Sequence, residues 1–281
     1  MSQIKIKSYA KINLALNIIG KKLFLHKIET IVVFASLHDE ILIEKTKNKN
    51  HQIFFVGKFS QNIPKNNTVF KLLQILDKKK LLHNQKYKIR INKQIPSKAG
   101  LGGGSMNAAN ILKYFVKKKI IKTTKKEIIS ISKSISSDVI LGLNSAYAIL
   151  NSRNEIKCFS NLKKFHILIV KPDFGCSTKE IYKEVRKFNK SKFNKPSKKM
   201  FDLENLKKMR NDLENIAISK YPKLKKIKLF LENLSNQEFV RITGSGSAIV
   251  AYFKSKKKCD NAKKMFKRKY KNYWCISSKT I

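Results

Sequence analysis

Residues 95–110 read IPSKAGLGGGSMNAAN, and Gly100, Gly102, Gly103 and Gly104 are four of only ten glycines in the chain. Each glycine inside regular structure costs roughly 0.5–1 kcal/mol relative to Ala. Stability alone gives no reason for such a run, so it marks a place where the backbone turns sharply or approaches something closely. Upstream, KYKIRINKQI alternates, with Tyr87, Ile89 and Ile91 on one face, and predicts a strand running into Pro96. Downstream, Ala108, Ala109, Ile111, Leu112 and Phe115 follow helical spacing, and a helix is expected from about Ser105, which would cap it. Strand, glycine turn and helix together aim free N–H groups and the positive end of a helix dipole at one point, a ready anion site. The stretch is not a P-loop, because Ser105 and Met106 stand where Lys-Ser/Thr belongs. Nor is it a Rossmann fingerprint, since neither Gly100 nor Gly102 begins G-x-G-x-x-G.

Around this stretch the pattern is mixed. KINLALNII alternates as a half-buried strand with Ile12, Leu14, Leu16 and Ile18 on one side, and ETIVVFASL, EILIEK and HQIFFVG read as further strands. Helices are predicted at NNTVFKLLQILDKKK and KKEIISISKSI, and a strand at SAYAIL. The pattern resets at NSRNEIKCFSNLKK, a polar connector. A second unit follows: a strand at FHILIVKPD, a helix at STKEIYKEVR, a Lys/Asn/Ser-rich loop at KFNKSKFNKPSKK, then helices near 200–216 and 223–233. FVRITGSGSAIVAYF, a basic helix and the strand NYWCISS close the chain. The fold class is α+β in two domains, 1–155 and 156–281, a size that allows two cores.

The formal net charge of +44 would ordinarily point to nucleic acid or an anionic membrane. Of the 62 basic residues, however, only six are Arg and the other 56 are Lys. Nucleic-acid readers rely on the planar Arg fork, and here the charge is spread from Lys5 to Lys279, as a solvated surface would be. Cys158, Cys176, Cys259 and Cys275 form no CxxC pair and no metal-like group. The first residues carry charge throughout, which is unlike a signal peptide, and the longest apolar runs are too short to span a bilayer. A cytoplasmic protein without a membrane segment is expected.

Three stretches in order, AKINLAL at 10–16, PSKAGLGGGSMNAA at 96–109 and TGSGSA at 243–248, resemble the three motifs of the GHMP kinases, a family that includes galacto-, homoserine, mevalonate and phosphomevalonate kinases. With ISSDV at 135–139, the resemblance spans essentially the whole chain. It implies a fold with an amino-terminal domain like domain 2 of ribosomal protein S5, a carboxy-terminal α+β GHMP domain, and an active site where motifs of both halves meet. It also implies ATP as phosphoryl donor, with Mg²⁺ bridging its phosphates and no protein metal ligand assigned.

The resemblance further implies roles for individual residues. Asp138 would accept the proton of the substrate hydroxyl, Lys11 would stabilise the developing charge beside it, and Asn13 would orient the substrate. Pro96, Ala99, Gly100, Leu101, Gly102, Gly103, Gly104, Ser105 and Asn107 would bind the ATP phosphates, with Asn67 near the adenine. Gly244 and Ser245 of the third motif would touch the acceptor. The spelling of the first two motifs is nearest to the branch acting on cytidine diphosphate-linked methylerythritol in isoprenoid precursor biosynthesis. There His26 would contact the cytidine, and Thr178 and Tyr182, four apart on one helix face, would bind and stack on it. The segment before His26 departs from the pattern: GKKLFLH has Leu23 to Leu25 where that branch has Asp-Gly-Tyr. Mevalonate and homoserine kinases therefore remain alternatives, as does a basic nucleic-acid-binding protein on the shared S5-like architecture. A monomer or a homodimer fits equally.

Overall fold

The computed structural model describes residues 5–23, 25–144 and 147–281. The first four residues, Phe24, and the first two residues of the expected strand SAYAIL lie outside the described residues. Contacts divide the chain into two compact units, neither of them a single stretch. One comprises the chain through Lys11, Leu37–Ser97 and the stretch from Gly102 through the fourth helix. The other comprises Ile12–Ser36, Lys98–Leu101 and the remainder of the chain through Ile281.

Two long strands open the chain, β1 (Lys5–Lys22) and β2 (Leu25–Thr46). The stretches ETIVVFASL and EILIEK, expected as separate strands, run together in β2, because no glycine or proline interrupts them and a polar pair, His38-Asp39, is tolerated inside the strand. In the first unit the end of β2 pairs antiparallel with β4 (Lys86–Asn92), and β3 (Gln52–Val56) lies parallel on the far side of β4. Helices α1 (Thr68–Lys78), α2 (Gly103–Lys117), α3 (Lys125–Ile135) and the single turn α4 (Val139–Gly142) complete it. Asn67 caps α1, accepting from the N–H groups of Val69 and Phe70, and Val69, Leu72, Leu73 and Leu76 form its buried face. Thr124 and Glu127 close a capping box at α3. The core gathers Leu72, Leu76, Ile89, Ile91, Ile111 and Phe115.

In the second unit the beginning of β2 pairs with β5 (Tyr147–Leu150), which pairs with β6 (Ile156–Phe159). The polar connector expected from 151 thus contains a short strand, drawn into the sheet by the turn Asn151–Glu155. A four-stranded antiparallel sheet runs β10 (Trp274–Lys279), β7 (His166–Lys171), β9 (Ile249–Phe253), β8 (Phe239–Ile242). The helices are α5 (Thr178–Lys183), α6 (Leu203–Lys208), α7 (Glu214–Lys220), α8 (Lys223–Glu232) and α9 (Lys256–Lys269). Leu16, Ile18, Leu168, Leu224, Phe253 and Phe266 belong to one core cluster here.

Candidate active site

The alternation of β1 predicts one wet face, yet from Ala10 to Ile18 both faces are covered. Ile12, Leu14 and Ile18 fill the apolar side, and the polar side is buried as well: Lys11 is 3% exposed, Asn13 2% and Asn17 5%. Burying an ammonium costs several kcal/mol unless a partner meets its charge. Lys11 Nζ lies 3.1 Å from Asp138 Oδ2. Asp138 occupies the N-cap position of α4, but its side chain makes no cap hydrogen bond. The carboxylate is committed to the lysine, not to the helix end.

The four glycines do different things. Gly100 has φ +73°, and a Cβ there would come within 2.0 Å of the Thr243 carbonyl oxygen, so it serves backbone packing inside the second unit. Gly102, with φ +67°, is the N-cap of α2, and a Cβ on it would meet Lys11 Cε at 3.2 Å and Asp138 Oδ2 at 3.6 Å. The loop therefore closes down on the Lys11–Asp138 pair. A Cβ on Gly103 would meet Ile95 and Lys93, and one on Gly104 only Thr68 Oγ1. The helix begins at Gly103, not at Ser105, and no side chain caps it. Ser105 instead shares a hydroxyl hydrogen bond of 2.8 Å with Ser136, because the glycine turn has already reversed the chain two residues earlier. The first N–H groups of α2 have no intrahelical partner by helix geometry and stay available to an anion.

Beneath this loop lies a polar cluster that sequence reading missed. Asp39, fully buried in β2, accepts from Lys93 Nζ, from the backbone N–H of Gln94 and Ile95 at 2.8 and 2.9 Å, and from Asn107 Nδ2 at 2.9 Å. It locks the end of β4 to α2 and fixes the entry of the glycine run. Asn107, expected on the phosphates, is 1% exposed and spends its amide on Asp39. Asn67, expected near the adenine, uses both ends of its side chain to shape the turn before α1, donating to Pro64 and Lys65 carbonyls. The side chains of Pro96, Ala99 and Leu101 are buried, so only their backbone can face a ligand.

In the second unit, parts of all three motifs meet. Asn13 N–H donates to Thr243 Oγ1 at 3.0 Å, and Thr243 Oγ1 donates to the Gly100 carbonyl at 3.3 Å. Asn13 Nδ2 donates to Thr30 Oγ1 at 2.7 Å, and its Oδ1 faces Gly244. Ser245 and Thr178 share a hydroxyl hydrogen bond of 2.9 Å. Asn211, another residue sequence reading missed, donates to the carbonyls of Ile242 and Gly244 and so holds this turn from below. His26 sits 5.0 Å from the Tyr182 ring and 6.3 Å from the Phe188 ring, centroid to centroid. Burial, reinforced by the charge of Lys21, holds its pKa below the ordinary histidine value.

Two features, a glycine-built helix N-terminus over the pair of buried Lys11 and half-exposed Asp138 and an α+β chain of three spaced motifs, define the class. The GHMP kinases N terminal domain family matches residues 67–151. Among solved structures, a homoserine kinase from Cytophaga hutchinsonii shares the fold with a TM-score of 0.74 at 15% identity, covering 100% of this chain and 95% of that one. A 4-(cytidine 5'-diphospho)-2C-methyl-D-erythritol kinase structure reaches 0.78 at 21% identity, covering 99% and 100%. The chain belongs to the GHMP kinase family. Its relatives narrow this further. The 4-diphosphocytidyl-2-C-methyl-D-erythritol kinase of Pelagibacter ubique is 56% identical over 281 residues, covering all of both chains. That of Clostridium beijerinckii is 31% identical over 283 residues, covering 96% of this chain and 98% of its own. Within the GHMP kinases, the chain belongs with the 4-diphosphocytidyl-2-C-methyl-D-erythritol kinases.

Proposed function

We propose that this chain transfers the γ-phosphoryl group of ATP to the 2-hydroxyl of 4-diphosphocytidyl-2-C-methyl-D-erythritol, a step of non-mevalonate isoprenoid precursor biosynthesis. The substrate is the one named for its full-length relatives. The observation that carries the chemistry is the Lys11–Asp138 pair, 3.1 Å apart directly beneath the glycine N-cap of α2. The uncapped N–H groups of α2 receive phosphate oxygens. Asp138 accepts the hydroxyl proton as that oxygen bonds to the γ-phosphorus and the bond to the ADP oxygen breaks. Lys11 balances the negative charge gathering on the transferring group. Asn13, Thr178, Gly244 and Ser245 orient the polyol end, and His26 with Tyr182 receives the cytosine.

Among the described residues no cluster of three His, Cys, Asp or Glu side chains offers a metal cage. Mg²⁺ would be held through the phosphates of ATP, with Asp138 and Ser105 as the oxygen-bearing side chains at the loop able to meet it. When bound, the ion neutralises phosphate charge. The four free cysteines fit the reducing cytoplasm, and no described helix is long and apolar enough to cross a membrane.

The test is ADP release by the purified chain, measured with the cytidyl substrate, mevalonate and homoserine in parallel. Turnover of the cytidyl substrate alone is expected, and Asp138→Asn should lower kcat by about 10²–10⁴-fold. Phosphorylation of mevalonate or homoserine in its place would overturn the substrate, and full activity of Asp138→Asn would overturn the base.

A further inference from the structure

We infer that Phe188 is a specificity-determining residue, and that the strap following it exists to hold its ring beside His26, where the flat base of the substrate binds. The inference rests on the reading given above for the substrate. Residues 187–197 read KFNKSKFNKPS, which by composition is a solvated loop, and the segment forms neither helix nor strand. Yet each residue from 189 to 193 is tied down. Asn189 donates its N–H to the Ile18 carbonyl at 2.8 Å and its side chain to Asp212 at 2.7 Å. Asn17 donates to the Lys190 carbonyl at 3.0 Å. The Ser191 hydroxyl and the N–H groups of Lys192 and Phe193 all donate to Glu29, at 2.6, 2.8 and 3.3 Å. Asn17 Nδ2 donates to the same carboxylate at 3.0 Å.

Glu29 is fully buried. A carboxylate removed from water is costly, and this one is devoted to an irregular surface segment. A loop that merely connected α5 to α6 would stay solvated and need no such anchor. Next to this anchored run stands one large apolar ring, Phe188, 47% exposed, its centroid 6.3 Å from that of His26. Phe193, at the other end of the strap, is by contrast buried at 4% and serves as its foot. The hairpin side of His26 offers no substitute among the described residues, since its neighbour Leu25 is aliphatic and 76% exposed. Rings near a histidine that can hydrogen-bond suit a planar heterocycle, because stacking needs an exposed face and the histidine a polar edge. Glu29 is accordingly a positioning residue acting through the strap.

Steady-state kinetics with each substrate varied at saturation of the other tests this. Phe188→Ala should raise KM for the cytidyl substrate by about ten- to a hundredfold, change kcat far less, and leave KM for ATP within about twofold. Phe188→Trp should restore most of the loss. Glu29→Gln should move the same KM in the same direction without moving that for ATP, with thermal melting recorded alongside. Phe24→Leu should leave both KM values near wild type. The inference falls if Phe188→Ala keeps the wild-type KM, if it weakens both substrates alike, or if the loss appears in Phe24→Leu instead. Wild-type turnover with an unchanged Phe188→Ala overturns this inference alone, whereas a wild type inert toward the cytidyl substrate overturns the functional reading beneath it.

Discussion

Of the 56 lysines, only Lys11, Lys93 and Lys171 are buried among the described residues, and each has a different counterweight. Lys171 donates to the carbonyls of Pro172 and Phe174, Lys93 meets the fully buried Asp39, and Lys11 meets Asp138, whose side chain is 31% exposed. The difference predicts opposite phenotypes. Lys93→Met strands Asp39 without a cation and should cost about 3–5 kcal/mol in denaturant unfolding. Lys11→Met leaves a carboxylate that water still reaches, so stability should change little while kcat falls by about 10²–10³-fold. His26 adds a pH signature. Its pKa is lowered from 6.5 by burial and then by Lys21, so the folded chain resists a proton that the unfolded chain accepts. Its contribution to stability is complete above pH 6.5 and is lost as pH falls from there through the lower folded value. The acid rise in KM for the cytidyl substrate should therefore begin below pH 6.5 and be absent in His26→Gln.

Substitutions along the glycine run separate folding from ligand approach. Gly100→Ala forces a Cβ against the Thr243 carbonyl in a left-handed backbone, and should cost at least about 2 kcal/mol in thermal unfolding. Gly104→Ala meets only the movable Thr68 hydroxyl and gains helix propensity, so melting should hold or rise while KM for ATP increases. Such distinctions were not legible in the sequence, which shows four equivalent glycines. What was legible is periodic: α1 and α3 were expected from the pattern of their apolar residues, and the alternation of β1 located its strand. The alternation failed at one point, because a buried polar face and a wet one are spelled alike, and only the partners of Lys11, Asn13 and Asn17 tell them apart. Composition failed in the same way at 187–197, where the anchor is Glu29, about 160 residues upstream in the chain. Asp39 was hidden for the same reason, since its partners Lys93 and Asn107 come from a strand end and a helix far along the sequence.

Across the whole molecule the two units borrow chain from each other. Residues 12–36 belong to the unit otherwise built from Lys98–Leu101 and the carboxy-terminal half. Leu16 takes the N–H of Asp212 and gives its own to the Arg210 carbonyl, Ile18 N–H donates to Asp212, and Arg241 donates to the Leu14 carbonyl. Cutting the chain at 155 should therefore leave the second unit incomplete: fragment 156–281, without residues 12–36 and 98–101, is expected to lack a cooperative melting transition and to aggregate. A soluble fragment with a sharp transition would contradict this. On the ribosome the same arrangement sets a schedule. Ile18 must wait for a partner 194 residues later, which at about 5–20 residues per second is a delay of roughly 10–40 s. The strand bearing Asn13 is thus made long before the partners in the second unit that complete it. Leu16 and Ile18 wait as long for the core they share with Leu213, Leu224 and Phe253, and stay open to a chaperone in the meantime.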